Sequence, residues 1–113
     1  MSDCLFCRMA SGEIKPDLVY EDDEIIAFRD INPQAPVHFL VIPRRHITAL
    51  DELEAGDADL VGRMYLVARR VAEEQGLARG YRTVINCRED GGQTVFHLHL
   101  HVLGGRHMSW PPG

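Results

Sequence analysis

The sequence predicts an α+β domain in which a mostly antiparallel sheet is covered by one main helix. Two observations carry this expectation. Leu60, Met64, Val67, Ala68 and Val71 fall at i, i+4, i+7, i+8 and i+11, which marks one apolar face of a long helix. Around that helix, short runs rich in β-branched and aromatic residues follow one another through tight turns, as strands adjacent in an antiparallel sheet do.

In chain order, a short amphipathic helix is expected over residues 4–10, with Ser2 or Asp3 as its N-cap and Ser11-Gly12 as its stop. Strands follow over residues 18–21 and 25–29, around the acidic turn Asp22-Asp23. Asn32-Pro33-Gln34-Ala35-Pro36 is a turn-rich loop, and residues 38–42 form a third strand ended by Pro43. The main helix is expected over about residues 57–75, closed by Gly76. Residues 82–87 make a fourth strand and residues 94–103 a fifth, with Gly91-Gly92 between them.

Composition narrows the function. The chain has 113 residues, 45% of them hydrophobic, which suits one compact domain with a core of its own. Its net charge of −5 argues against a nucleic-acid groove, which would need a basic patch. No apolar run reaches the length needed to span a bilayer, and the first residues lack the basic start and long apolar stretch of a signal peptide. A cytoplasmic protein is therefore expected. Glu21-Asp22-Asp23-Glu24 reads as a solvated turn, and Arg44-Arg45 as a pair that could steer an anionic ligand.

The chain has 3 cysteines, an odd count that disfavours a closed disulfide framework. Cys4 and Cys7 form a C-x-x-C pair, read as half a zinc site or a redox pair. A thioredoxin-like motif follows a strand, and only three residues precede Cys4. Zinc needs two further ligands, and the six histidines are the supply. Cys87 stands apart and reads as a buried small side chain.

Three of those histidines lie in His97-Leu98-His99-Leu100-His101, a strict alternation. In a strand, Phe96, Leu98, Leu100 and Val102 would face the helix, and His97, His99 and His101 the other side. One end histidine could serve a metal and the centre could be catalytic, since a neutral imidazole held in one tautomer is a capable nucleophile toward phosphorus. Just upstream, Gly91-Gly92-Gln93-Thr94 places a tight turn, an amide and a hydroxyl beside the row, as donors for developing charge on phosphate.

His97-Leu98-His99-Leu100-His101-Val102-Leu103 matches the histidine-triad signature, in which histidines alternate with apolar residues. With residues 30–36, His38-Phe39-Leu40-Val41-Ile42-Pro43, Gly91-Gly92-Gln93, residues 101–105 and Trp110-Pro111-Pro112-Gly113, the chain resembles the Hint branch of the histidine-triad (HIT) nucleotide-binding proteins. The resemblance implies a single HIT domain over residues 1–113. It also implies a purine nucleoside phosphoramidase that cleaves the P–N bond of AMP–lysine-type substrates through a nucleotidyl-histidine and releases AMP or GMP. By motif position, His99 resembles the nucleophile, and His101 would lie beside the reacting phosphate. Asn86, Gln93 and Thr94 would contact the phosphate; the usual branch residue at position 94 is Ser. Asp30 would take the ribose hydroxyls. Phe6, Phe28 and Ile31 would form the slot for the base, with Leu5 and Met9 nearby.

Bacterial relatives of this branch often carry a structural Cys2His2 zinc site, and the matching residues are Cys4, Cys7, His46 and His97. His38 and His107 then read as structural or surface residues. The resemblance further implies a homodimer with a ten-stranded sheet, formed around the main helix and residues 82–87, and residues 104–113 reaching toward the partner's site. Alternatives are a dinucleoside polyphosphate hydrolase, or a non-catalytic protein that senses nucleotide or scaffolds partners.

Overall fold

The computed structural model describes residues 3–113, so the expected cap at Ser2 lies outside the described residues. The first helix, α1, spans Leu5–Ala10. Its N-cap is not Asp3 but Cys4, whose Sγ accepts from Cys7 N at 3.3 Å. The strands are β1 (Leu18–Glu21), β2 (Ile25–Arg29) and β3 (Val37–Pro43). The long helix α2 spans Ala58–Glu74, and the chain ends with β4 (Tyr81–Val84) and β5 (Leu100–Gly104). All neighbouring strands are antiparallel, in the order β1-β2-β3-β5-β4, as the α+β reading expected.

Alternation along the central strands sorts the core into two layers. Ile25 and Ala27 of β2, Phe39 and Val41 of β3, and Leu100 and Val102 of β5 pack against α2. The face α2 presents comprises Leu60, Met64, Val67, Ala68, Val71 and Ala72. Ile26, Phe28, Leu40 and Ile42 point to the opposite side, where α1 covers them with Phe6 and Ala10. Two-sided burial explains why β2 and β3 read as nearly continuous apolar runs.

The turn after β1 is built by Asp22, whose Oδ1 accepts from both Glu24 N and Ile25 N at 2.8 Å. Arg44 ties this turn to α1, donating to Asp22 O and to Ala10 O, and so is engaged within the fold. Arg45 is held by Asp57. Two single-turn 3-10 segments, Leu50–Glu52 and Ala55–Asp57, lead into α2; the sequence reading had nothing there.

The last two strands are shorter than expected. β5 begins at Leu100, so residues 94–99 lie outside the ladder. That approach is fixed instead by cross-loop bonds: Leu98 N donates to Ile47 O at 2.6 Å, and Gln93 Nε2 donates to Thr48 O and Val95 O. Phe96 accordingly does not face α2 and is 46% exposed, whereas Leu98 keeps its place in the core. β4 stops at Val84, opposite His101 of β5, and Ile85, Asn86 and Cys87 lead into the loop. Cys87 is half-buried there, not buried. No helix among the described residues is long and apolar enough to cross a membrane.

Candidate active site

The site lies on the face of the sheet opposite α2. β3 and β5 are paired with Leu40 opposite His101. His38 lies two residues before Leu40, which puts it on the same face of the sheet. Phe6 of α1 packs edge-on against His99 with ring centroids 5.1 Å apart, and against Phe28 at 5.5 Å. The rings of His99 and His101 are 4.9 Å apart.

The hydrogen bonds assign each ring its tautomer. His99 Nδ1 lies 2.7 Å from His97 O; a carbonyl only accepts, so Nδ1 carries the hydrogen. Burial lowers the pKa of His99 from its ordinary value, which favours the neutral ring and leaves Nε2 with a free lone pair. His101 has the opposite arrangement. Gln34 N donates to His38 Nδ1 at 3.0 Å, so the neutral His38 ring carries its hydrogen on Nε2. That nitrogen is 2.9 Å from His101 Nδ1, which must accept, and His101 carries its own hydrogen on Nε2. Burial, with smaller contributions from His99 and His38, pushes the His101 pKa down to about 4, so this ring too is neutral near pH 7. Two adjacent imidazoles thus offer a lone pair on one Nε2 and a hydrogen on the other.

Around them, Asp30 Oδ1 accepts from Asn32 N at 2.8 Å in an Asx turn, and Oδ2 sits 3.5 Å from His38 Nε2. Gln93 is buried with its amide committed: Oε1 accepts from Arg88 N at 2.8 Å while Nε2 donates to two carbonyls. Both amide hydrogens have partners, so what this side chain offers the site is the shape of the loop. Gly91 is required by close approach, since a Cβ there would meet Cys87 O at 2.5 Å. Arg88 takes a left-handed φ of 60° and is anchored by Asp51 and Glu52. Thr94 is exposed and Asn86 half-buried, in the loops that follow the glycine turn and β4.

A second cluster adjoins the first. Cys4 Sγ and Cys7 Sγ lie 3.3 and 3.5 Å from His97 Nδ1, and Cys7 Sγ lies 3.2 Å from His46 Nδ1. The four candidate ligand atoms are all within 4.8 Å of one another. Tetrahedral bonds of about 2.3 Å to sulfur and 2.0 Å to nitrogen would set S and N about 3.5 Å apart, so these distances fit a shared metal ion. The outer nitrogens are oriented as ligating histidines require. His97 Nε2 donates to Pro43 O at 2.7 Å, and His46 Nε2 is 3.3 Å from Thr48 Oγ1.

The sequence profile of the HIT domain matches residues 11–108. This chain belongs to the HIT family. It is 52% identical to an uncharacterized HIT-like protein of Synechococcus elongatus, with 98% of this chain and 97% of that protein covered. It is 47% identical to the adenylylsulfatase HINT1 of Arabidopsis thaliana, over 99% of this chain and 78% of that protein. A HIT family hydrolase from Legionella pneumophila has the same fold, with a TM-score of 0.96, 49% identity, and 98% and 100% of the two chains covered. A histidine triad protein from Clostridium difficile superposes with a TM-score of 0.93 at 43% identity, covering 96% of each chain.

Phe6, Phe28, Asp30, His99 and His101 converge on one region, joined by His38. Phe6 and Phe28 are buried in the small core under α1, but Ile31 is 94% exposed beside Asp30 and belongs to no core. His38 is the residue that sequence reasoning undervalued. The available signal was its parity: on β3 it shares a face with Leu40 and Ile42, away from α2, which is the side that carries the histidine row. His107 is exposed, in keeping with a surface role.

Proposed function

We propose that this HIT protein hydrolyses purine nucleoside 5′-phosphoramidates through a covalent nucleotidyl-His99 intermediate, releasing AMP or GMP. The opposed tautomers of His99 and His101 are the observation that carries this reading. Nε2 of His99 attacks the α-phosphorus and forms a P–N bond as the bond to the substrate amine breaks. His101 Nε2–H is donated as a hydrogen bond to the reacting phosphate. The departing nitrogen takes a proton from solvent water, so the amine leaves neutral and His101 stays a neutral ring. Water then attacks phosphorus and the P–N bond to His99 breaks. The attacking water's proton passes to bulk solvent while His101 Nε2–H again donates to the phosphate oxygens. Thr94 and Asn86 supply donors to the phosphate oxygens, in a loop shaped by Gln93 and Gly91. Asp30 Oδ2 receives the ribose hydroxyls, and Phe6, Phe28 and Ile31 hold the base.

The Arabidopsis relative is named as an adenylylsulfatase, and the same attack on phosphorus with sulfate leaving needs no other nucleophile. Amine and sulfate are therefore leaving groups of one chemistry, and a lysine–AMP conjugate, adenylyl sulfate and diadenosine polyphosphate are the substrates to compare. Cys4, Cys7, His46 and His97 would hold zinc with no open position, which makes it a structural cross-link with no part in bond cleavage. A homodimer accounts for the surface left by the fold. β4 is one of the two edge strands, and Tyr65 and Leu66 of α2, Tyr81 of β4 and Trp110 of the C-terminal segment are exposed apolar residues.

The deciding experiment is intact-mass measurement after a rapid quench with an adenosine phosphoramidate. A mass increase of one AMP is expected in the parent and not in His99→Gly. Parent-like turnover by His99→Gly would end the nucleophile assignment.

A further inference from the structure

The nucleophile sits outside the sheet. Regular pairing begins at Leu100, so His99 is not held by a strand ladder, and neither is the loop from Arg88 to Val95. Helix α1, which supplies Phe6, has only six residues, too few for a helix to be stable by itself. What these three pieces share is the cysteine–histidine cluster.

Each ligand is one step from a group that handles substrate. His97 offers its ring Nδ1 to the cluster, while its backbone carbonyl accepts the Nδ1 hydrogen of His99 at 2.7 Å. Cys4 and Cys7 bracket Phe6, which packs against both His99 and Phe28. His46 reaches the phosphate loop through Thr48, whose hydroxyl lies 3.3 Å from His46 Nε2 and whose carbonyl accepts from Gln93 Nε2 at 2.9 Å. Ile47, between them, accepts from Leu98 N at 2.6 Å. The ligand set spans burial as well: His97 is fully buried and His46 exposed, so a bound ion would fasten an outer segment to the core.

We infer that a divalent metal on Cys4, Cys7, His46 and His97 positions the active site, and that Thr48 is the positioning residue through which His46 acts on the phosphate loop. The inference rests on the metal reading above and adds a consequence for nucleotide binding. Outer-shell partners of ligating histidines characteristically change metal affinity by about 10–100-fold.

The test compares reduced protein stripped by a chelator with the same protein reloaded with zinc. It reads zinc bound per chain, AMP affinity, and the NMR signals of the His99 Nδ1 hydrogen and the Gln93 amide. One zinc per chain is expected. Stripping should weaken AMP binding about tenfold and broaden or shift both signals, with the methyl signals of Val41, Val71 and Leu100, in the core between α2 and the sheet, unmoved. Thr48→Val should bind zinc about tenfold less tightly. At saturating zinc it should still bind AMP about threefold less tightly than the parent, and Thr48→Ser should restore both.

One zinc per chain with equal AMP affinity and identical His99 and Gln93 signals in the two states would overturn the positioning role and leave the metal site standing. Absence of stoichiometric zinc binding overturns the metal reading and the inference with it. If stripping unfolds the chain, the zinc-loaded Thr48 variants decide: parent-like AMP affinity in Thr48→Val refutes the coupling.

Discussion

His38 and His101 meet nitrogen to nitrogen at 2.9 Å, and the direction of hydrogen donation between them is set by a backbone amide outside the pair, Gln34 N–H. In the proposed mechanism His38 would therefore act through His101, by keeping that ring's hydrogen on Nε2. His38→Leu should lower kcat about 10–100-fold with little change in KM. His38→Gln, whose amide can still donate to Nδ1, should recover part of that loss. Steady-state kinetics on a lysine–AMP conjugate tests this, and a parent-like kcat in the Leu variant would show that His101 chooses its tautomer unaided.

Removing the proposed nucleophile, His99, should separate chemistry from folding. His99→Ala should reduce turnover by about 10³-fold or more and abolish the AMP adduct. As a large-to-small change at a buried ring it should cost about 1–3 kcal/mol, leaving a folded protein that still binds AMP. Calorimetric AMP binding together with a thermal melt measures both effects. Loss of the folded transition would mean that the ring matters to stability first.

Acid should weaken the fold through its buried imidazoles. Burial lowers the pKa of His38, and that of His101 to about 4, while histidines in the unfolded chain titrate near about 6.5. Between these values the unfolded chain binds more protons than the folded one. Stability is therefore lost as pH falls from about 6.5 toward 4 and is level, as far as these groups go, above that window. Urea midpoints at pH 7.5 and pH 5 should differ less in His101→Gln than in the parent. Equal differences in both would remove His101 from this account.

The phosphate loop should be intolerant of small changes. Gln93→Leu leaves Arg88 N, Thr48 O and Val95 O without their side-chain partner and should cost about 1–3 kcal/mol. Gly91→Ala drives a methyl group into the Cys87 backbone and should displace the same loop. Both variants should raise KM for the nucleotide, read by kinetics beside denaturant titration. A Gly91→Ala protein with parent stability and KM would mean that the loop has room the structure does not show.

How much of this was legible in the sequence depended on whether a local pattern sufficed. The α2 face was readable because Leu60, Met64, Val67, Ala68 and Val71 obey one period along one element. The two layers that β2 and β3 face were not readable in this way, because strands buried on both faces read as continuous apolar runs with no period. Residues 94–99 defeated the strand reading although His97-Leu98-His99-Leu100-His101 alternates strictly. Leu98 still alternates inward, but its amide bonds Ile47 across a loop, and a residue's face does not reveal its hydrogen-bond partner. Gln93 was noticed for its amide, yet the carbonyls of Thr48 and Val95 that engage that amide come from two different loop segments. His38 was passed over because its value lies in two contacts, with Gln34 and His101, and the second spans 63 positions. The cysteine–histidine grouping, by contrast, followed from family resemblance and closes within hydrogen-bonding distances.

The HIT profile begins at residue 11, whereas Phe6 and both cluster cysteines lie ahead of it on α1. One wall of the proposed base slot is thus carried by a short appendage, while the attacking and proton-bearing rings belong to the matched domain. The proposed base slot draws on two stretches of chain, Phe6 from ahead of the matched region and Phe28 and Ile31 from within it. A substitution at Phe6 in that appendage would therefore reach the proposed base slot and, through its packing on His99, the histidine site at the same time.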